Sequence, residues 1–554
     1  MTVLARFLFA GAAVLTLAAC APERVAPTTE AGDTTVAAAR RIEADVHFLA
    51  DDLLEGRETG TRGYDLAALY VASEFRKLGL EPVNAGSYLQ PVPLLRARAL
   101  RDGARFTLLR DGQARDFQFE QDYLPSASFN QAQDEISAPL VFVGQAVHAP
   151  ELGHDDFAGI DLKGKIAVVL SNAPADLPVD ERAFHASRME KAKLLAAHGA
   201  IGVISIGDPR DEEKRPWAIG AKNWGSAGMR LRDADGEPID SFPELRVRVS
   251  LRAALAEILF AGSAHSADQV FTMMRESRLQ SFDLPGTATL AQATQMERAE
   301  SFNVVARLPG ADPTLAAEHV VLTAHLDHLG IGAEINGDRI YNGALDNALG
   351  MSILLEAARR VAASPLRPQR SLLFVALTGE EKGLLGAQHF VAAPPVAKSG
   401  IVANVNMDMP VVLGDLTDMV PIGIEHSSLK GLVEAAAKDA GMALSPDPKP
   451  EETVFVRSDQ YAFIRAGIPA VYLDGGITGR DAQFDGIARL DGFLNQHYHR
   501  PSDDTNQPIH YPTAARIATL NALIGTRIAN APQRPSWNEG DFFAKKFAAP
   551  EPAH

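Results

Sequence analysis

The chain of 554 residues carries 53 lysines and arginines against 70 aspartates and glutamates, a net charge of −17 at pH 7. Phosphate binding needs a basic face, so this negative charge argues against a nucleic-acid partner, and we expect none. The length exceeds one ordinary core, and a hydrophobic content of 46% fits a globular protein of two domains with flanking segments.

The single cysteine, Cys20, closes an N-terminal stretch that resembles a bacterial lipoprotein signal. Residues 1–20 (MTVLARFLFAGAAVLTLAAC) hold one early cation, an apolar run and small residues, a secretory shape too short for a transmembrane span. The ending LAAC resembles the lipobox, which implies an exported lipoprotein anchored to a membrane through Cys20 and facing the periplasm or the cell exterior. A soluble secreted protein with an incidental cysteine is the alternative. A lone cysteine excludes an internal disulfide and a cysteine-based metal site.

The first half of the chain contains three regions that differ in composition and hydrophobic pattern. Residues 21–35 are rich in proline, threonine and alanine and predict a flexible linker. Apolar residues at helical spacing then predict two helices separated by a break at residues 56–60. Between residues 135 and 280, strand-like runs around one good helix predict a smaller module. Its segments HDDFAGIDLKGKIAVVL and KAKLLAAHGAIGVISI resemble the protease-associated (PA) domain, a non-catalytic insert of exported peptidases.

From about residue 301, apolar strands alternate regularly with amphipathic helices. Continuous apolar strands between such helices predict an α/β fold with a mostly parallel (mixed) sheet sandwiched by helices. Functional sites collect at the carboxyl ends of the strands in sheets of this kind.

Acidic and imidazole side chains stand where these apolar patterns break. His325 and Asp327 end the run VVLTAHLD two residues apart, so they point to the same side of a strand. His325 would bind a metal ion and Asp327 would hold its other ring nitrogen, because a metal-bound imidazole needs that N–H fixed. Asp346, in the turn YNGALDN before a helix, either caps that helix or bridges two metal ions.

The next strands deliver further candidates. Glu380 and Glu381 follow FVALTG, where adjacent residues face different directions, so one can bind metal while the other faces a metal-bound water. Asp408 ends the run VNMD, and HYHRPSDDT contains His497 and His499, of which one is enough. Oxygen and nitrogen ligands at strand ends predict a hydrolytic zinc site.

The segments HLDHLG, NGALDNALG, LTGEEKGLLG, NMDM and YHRPSDDT together resemble peptidase family M28, the co-catalytic zinc aminopeptidases. The resemblance implies two Zn²⁺ ions per chain, one held by His325 and Asp408 and the other by Glu381 and His499. Asp346 would bridge both ions.

The same resemblance implies roles for three more residues. Glu380 would be the general base, Asp327 would support His325, and Tyr498 would stabilise the tetrahedral intermediate. Leu345 and Leu349 replace the acidic and small residues usual in the family beside the bridging carboxylate, which alters the pocket wall but removes no ligand. No residues are assigned to substrate side-chain recognition.

The implied activity is a zinc-dependent aminopeptidase that removes N-terminal residues from peptides through a water activated by two zinc ions. Glutaminyl cyclases resemble this fold and are one alternative; a carboxypeptidase or dipeptidase of the family is another, and a non-catalytic receptor a third. The implied domains are a signal peptide (1–20), a linker (21–35), a zinc peptidase domain (36–134 and 281–531), a PA insert (135–280) and a C-terminal tail (532–554). We expect this tail to add little to the core.

Overall fold

A computed structural model of the chain describes residues 2, 28–214 and 216–548, so Cys20 and nearly all of the predicted signal peptide lie outside the described residues. None of the described helices is both long and apolar enough to cross a bilayer. The α-helices are α1 (Thr28–Leu49), α2 (Arg62–Lys77), α3 (Val179–Ala186), α4 (Arg188–Ala197), α5 (Pro209–Lys214), α6 (Trp217–Lys222), α7 (Ala256–Phe260), α8 (Ala267–Arg275), α9 (Gly350–Ala362), α10 (Leu385–Ala392), α11 (Leu429–Ala440), α12 (Gln460–Arg465), α13 (Gly486–Gln496), α14 (Tyr511–Asn530) and α15 (Phe542–Phe547).

Sixteen strands of the described chain join in one mixed sheet, and two hairpins, β6 with β7 and β14 with β15, stand apart from it. The strands are β1 (Glu81–Pro82), β2 (Leu89–Arg110), β3 (Gln113–Asp116), β4 (Tyr123–Pro125), β5 (Gln133–Phe142), β6 (His148–Ala149), β7 (His154–Asp155), β8 (Ile166–Leu170), β9 (Gly202–Ile206), β10 (Gly228–Leu231), β11 (Val247–Leu251), β12 (Phe282–Leu308), β13 (His319–His325), β14 (Gly330–Ile335), β15 (Asp338–Tyr341), β16 (Ser371–Leu377), β17 (Ile401–Met407), β18 (Asp418–Ile422), β19 (Ala443–Leu444) and β20 (Ala470–Gly475).

The centre of the sheet is parallel and covered on both faces. Strands β16, β13, β17 and β20 run parallel in that order, with β12 antiparallel outside β16 and β18 antiparallel outside β20. Along β13, Val320 and Leu322 face the core formed with α1, α2, α9 and α14, whereas Val321 faces the core formed with α10 and α12. The predicted α/β fold is therefore confirmed, and burial on both faces explains why these strands read as continuous apolar runs.

Two long strands carry the sheet from this part of the molecule into a second module. β2 and β12 pair antiparallel along most of their lengths, and the module's own strands β5, β8, β9 and β11 continue the sheet beyond them. Phe106, Phe117 and Tyr123 pack into the core of this module together with Phe142. The module thus begins before the predicted residue 135, because residues from Phe106 onward already belong to its core. The sequence does not show this start, since the single strand β2 belongs to both parts of the molecule. Its likeness to a PA domain stays a prediction.

Both ends of the described chain are more ordered than the sequence predicts. Helix α1 begins at Thr28, so the prediction of a linker that extends to residue 35 is wrong for its last eight residues. These residues contain no proline, so the helix predicted from residue 36 can extend toward the N-terminus through them. The tail also packs: Phe543 is fully buried, and the Trp537 indole donates to the Gly467 carbonyl at 2.9 Å. The prediction that the tail adds little to the core is therefore wrong, because it is based on the proline and alanine content and not on the aromatic residues that enter the core.

Candidate metal centre

The first cluster of the centre forms where two neighbouring parallel strands end. β13 ends at His325, and Asp408 directly follows β17, so their side chains meet at one edge of the sheet. His325 Nε2 lies 2.8 Å from Asp408 Oδ1 and 3.3 Å from Asp346 Oδ1. Burial lowers the pKa of His325, but the negative charges of Asp408 and Asp346 outweigh it and hold that pKa well above its usual value.

Asp346 lies between the two halves of the centre and does not cap a helix. Helix α9 begins only at Gly350, and the residue before it, Leu349, makes no side-chain capping bond. One carboxylate oxygen of Asp346 faces His325, and the other lies 3.3 Å from His499 Nε2. Asp503 fixes this turn, because its carboxylate accepts the main-chain N–H of Asp346 at 3.0 Å. The capping role that the sequence leaves open is therefore not seen for α9, and the two oxygens of Asp346 face different clusters.

The second cluster gathers around the other oxygen of Asp346. His499 Nε2 lies 3.3 Å from Glu381 Oε2 as well as from Asp346 Oδ2. The neighbouring His497 contacts Ser502 instead, with its Nδ1 3.0 Å from the hydroxyl oxygen, so His499 is the histidine of this loop that joins the cluster. Burial would raise the pKa of Glu381, yet the charge of His499 holds it well below the usual range.

The adjacent glutamates Glu380 and Glu381 face different surroundings. Burial raises the pKa of Glu380 well above its usual value, and the charge of His325 only partly opposes this shift. Their main-chain N–H groups both donate to the carboxylate of Asp327, at 3.1 and 3.3 Å. One carboxylate therefore holds the turn in which Glu381 points toward the histidines of the second cluster.

Asp327 supports His325 differently from the sequence-based expectation. His325 Nδ1 donates to the main-chain carbonyl of Asp327 at 3.1 Å, whereas the nearer carboxylate oxygen lies 4.0 Å from that nitrogen. The carboxylate instead accepts the Thr59 hydroxyl at 3.0 Å and the N–H groups of the Glu380 turn. The imidazole is still held by residue 327, but through its backbone, because the carboxylate is directed at a different loop.

His328 joins the centre and is absent from the predicted ligand set. Its Nδ1 lies 2.9 Å from Glu381 Oε1 and 3.8 Å from Asp346 Oδ2, and the residue is fully buried. The sequence contains one signal for it, since His328 is the second histidine of HLDHLG, three residues after His325. Ser458 also contacts the centre, because its hydroxyl donates to Asp408 Oδ2 at 2.5 Å.

Tyr498 lies against the second cluster. Its ring stacks on the imidazole of His499 with centroids 3.8 Å apart and an interplanar angle of 28°. Burial raises the pKa of the Tyr498 phenol well above its usual value, and the nearby Asp346 and Glu381 carboxylates raise it further. The phenol consequently keeps its proton and can act as a hydrogen-bond donor.

The donor set fits zinc and forms two groups that share Asp346. Ligand atoms of His325, Asp346 and Asp408 lie within 4.8 Å of one another, and so do those of His328, Asp346 and Glu381. Imidazole nitrogen and carboxylate oxygen are zinc ligands, and catalytic sites use them in such mixtures. Within the described residues, the buried Nδ1 of His328 and Oε1 of Glu381 have no hydrogen-bond partner. Two close but unbonded polar atoms are expected where both face a cation rather than each other.

Residues 303–524, which contain every proposed ligand, match the family model described as Peptidase family M28. The chain is 33% identical to leupeptin-inactivating enzyme 1 of Streptomyces exfoliatus over 128 residues, 23% of this chain and 26% of that protein. It is 26% identical to a probable zinc metalloprotease of Pyrenophora tritici-repentis over 226 residues, 35% of this chain and 50% of that protein. The chain thus spans between a quarter and a half of these relatives.

Among solved structures, an aminopeptidase from Aneurinibacillus sp. strain AM-1 superposes with a TM-score of 0.51 at 19% identity. The alignment covers 88% of this chain and 92% of that one. At this level of identity the likeness shows a shared fold.

Proposed function

We propose that this chain is a zinc-dependent aminopeptidase that uses two zinc ions to hydrolyse the first peptide bond of peptide substrates. The observation that carries the proposal is the position of Asp346, which directs one carboxylate oxygen at His325 and the other at His499. A carboxylate shared between two clusters of nitrogen and oxygen ligands is the arrangement that supports a two-metal hydrolytic site.

The ligands divide between two positions. His325, Asp408 and one oxygen of Asp346 would hold the first zinc ion, and Glu381, His499 and the other oxygen of Asp346 the second. When bound, the two ions supply positive charge that polarises a carbonyl group and lowers the pKa of water toward neutrality.

Glu380 is proposed as the general base. A carboxylate oxygen of Glu380 takes a proton from the attacking water and then gives it to the leaving amine. Burial raises the pKa of Glu380 above that of an exposed glutamate, so its carboxylate is the stronger base. Asp327 holds the turn that aims this side chain, through the main-chain N–H of residue 380.

Tyr498 is proposed to donate its phenolic hydrogen to the oxygen that becomes negative as the carbonyl is attacked. A donor that is already in place when charge develops stabilises the transition state without reorganisation. Stacking on His499 holds the ring beside the second cluster.

Preference for a free N-terminus rests on the motif resemblance and on local charge. The half-buried Glu380 and the fully buried Asp459 add two carboxylates to the three that would bind zinc, and both oxygens of Asp459 lack a hydrogen-bond partner in the described chain. Surplus negative charge in a buried site favours the α-ammonium group of a substrate over an α-carboxylate.

The test is a panel of short peptides with a free amine, an acetylated amine or an amidated C-terminus, each with added zinc or a chelator. We expect N-terminal residues to be released from free-amine and amidated peptides, no cleavage of acetylated ones, and loss of activity with chelator that zinc restores. Release from the C-terminus would indicate a carboxypeptidase. Pyroglutamate from a glutaminyl peptide would indicate a cyclase, and a protein without zinc or turnover a receptor.

Export and membrane anchoring through Cys20 belong to the same proposal, as does a PA-type insert. Support comes from the shape of residues 1–20 and from the LAAC ending. Expression in a bacterial host with a radiolabelled fatty acid should label the wild type and leave Cys20→Ala unlabelled and in the soluble fraction. Equal labelling of both proteins would contradict the anchor.

A further inference from the structure

Residues 57–59 are far from the proposed zinc ligands in sequence but contact the loops that carry them. Residues 57–59 follow α1 by eight residues and lie outside the region that matches the family model. Arg57 and Thr59 are almost completely buried. Gly56 allows this close seating, because a Cβ at that position would overlap the carbonyl oxygens of Tyr341 and Gly330.

The guanidinium of Arg57 joins two of the loops that carry proposed ligands, those of His325 and Asp346. It donates to the carbonyl of Leu326 at 2.9 Å, and Leu326 lies between His325 and Asp327. It also donates to the carbonyls of Asn342 and Gly343, at 2.6 and 3.1 Å, in the turn that leads to Asp346. A fourth bond reaches the carbonyl of Leu49 in α1.

The rest of the segment reaches the third loop. The Thr59 hydroxyl donates to Asp327 Oδ2 at 3.0 Å, the carboxylate that also holds the N–H groups of Glu380 and Glu381. Glu58 forms an ion pair with Lys382 at 2.8 Å, directly after those glutamates. The main-chain carbonyl of Arg57 accepts the N–H of His328 at 3.2 Å. Residues 57–59 therefore contact the three loops that carry His325, Asp346 and Glu381, either directly or through Asp327.

The chemistry of Arg57 suits this task better than that of any other side chain. Its planar group presents five N–H donors in fixed directions, so one side chain can reach carbonyls on separate loops, which the single nitrogen of lysine cannot do. Burial lowers its pKa to about 10, so it stays charged at neutral pH. The charges of Asp503, Asp346, Asp327 and Glu381 oppose that lowering, and Arg57 in turn offsets their mutual repulsion.

We propose that residues 57–59 are a positioning segment that fixes the spacing of the ligand loops, and that zinc affinity depends on it. The inference rests on the proposed function. Arg57 and Thr59 act through the loops of residues 325–328, 342–346 and 380–382 and do not touch zinc or substrate themselves.

The test compares Arg57→Lys with Arg370→Lys. Arg370 is also a buried arginine that donates to main-chain carbonyls, those of Ala529 and Ala531, but it precedes β16 at the opposite edge of the sheet. Zinc affinity is measured by competition with a chromogenic chelator, and stability by denaturant unfolding of the zinc-free proteins. We expect about 10- to 100-fold weaker zinc binding in Arg57→Lys, as for other residues that orient ligands, and wild-type affinity in Arg370→Lys.

Thr59→Val and Thr59→Ser repeat the test if Arg57→Lys does not fold. Valine keeps the shape but removes the donor and should weaken zinc binding, whereas serine keeps the hydroxyl and should restore it. Unchanged zinc affinity in both Thr59→Val and any folded Arg57→Lys would overturn the inference while leaving the peptidase proposal intact. A wild-type protein that binds no zinc would overturn both.

Discussion

Glu380 donates its main-chain N–H to the carboxylate of Asp327 at 3.1 Å, and this hydrogen bond fixes the turn in which two adjacent glutamates diverge. Glu381 lies among the histidines of the second cluster, which keep its carboxylate ionised. Glu380 forms no ion pair of this kind within the described part of the chain, and burial raises its pKa. The same residue type thus has two chemical characters at neighbouring positions, as the proposed division between metal ligand and general base would require.

Replacing Glu380 with glutamine should separate catalysis from metal binding. The amide keeps the size of the side chain but cannot take a proton, so we expect kcat to fall by about 10²- to 10⁴-fold. Zinc content and the free energy of unfolding should match the wild type, measured by metal analysis and denaturant titration. Glu381→Gln is the matched control, since the same change one residue later should lower zinc content. Full turnover in Glu380→Gln would rule out this residue as the base.

His328→Ala should weaken zinc binding at the second position. The imidazole lies 2.9 Å from Glu381 and is fully buried, so its loss removes either a ligand or the group that orients one. Zinc affinity, measured with a competing chelator, should fall about 10- to 100-fold. His497→Ala is the control, because His497 contacts Ser502 and lies outside both clusters. Equal zinc affinities for the two variants would show that His328 only fills space.

Tyr498→Phe should lower turnover without affecting zinc. The ring can still stack on His499, but the hydroxyl that would stabilise the developing negative charge is gone. Loss of one such donor typically costs about 10²- to 10³-fold in kcat. Steady-state kinetics on a free-amine peptide should show the loss in kcat, with zinc content unchanged. A wild-type kcat would remove Tyr498 from the mechanism.

Part of the site can be predicted from the sequence, because some of its residues lie directly at the ends of apolar strands. His325 and Asp408 stand where buried runs stop, and parallel strands bring such ends to one edge, so their proximity follows from the pattern alone. Asp346 is different, because a carboxylate before a helix also suits a cap, and only the late start of α9 excludes that role. His328 escapes detection because it lies within a loop, where no periodicity reports the direction of a side chain.

Contacts between distant segments cannot be predicted from local patterns. Arg57 donates to Leu326 across 269 residues, and nothing in the spacing of either segment announces the other. The start of the second module cannot be predicted for a related reason: β2 is one continuous strand, and only its C-terminal part belongs to the core of that module. The aromatic residues Phe542, Phe543 and Phe547 of the tail lie in the six-residue helix α15, which is too short for a periodic pattern to reveal, yet they enter or contact the core.

The buried pair of His426 and Asp541 should make the attachment of the tail depend on pH. His426 Nδ1 lies 2.7 Å from Asp541 Oδ2, and Asp180 of the second module and Glu425 lie within 4 Å of the other ring nitrogen. Burial lowers the pKa of His426, but Asp541 and its acidic neighbours raise it overall. A raised histidine pKa stabilises the fold fully below about 6.5, and this stabilisation is lost as the pH rises through the folded-state value.

Asp541→Asn tests this dependence, because asparagine keeps the size of the side chain but removes its charge. At pH 6 the variant should lose about 1.5–3 kcal/mol of unfolding free energy, the range for a hydrogen bond between charged groups. At pH 9 the difference should be smaller, because deprotonation of His426 with rising pH removes the charge that Asp541 pairs with. Denaturant unfolding at both pH values measures it. Glu425→Gln is the control, because that carboxylate is 64% exposed and 3.8 Å away, so solvent screens its charge. A loss in Asp541→Asn that is equal at the two pH values would mean that the aspartate acts through the cap it provides for α15 and not through the histidine.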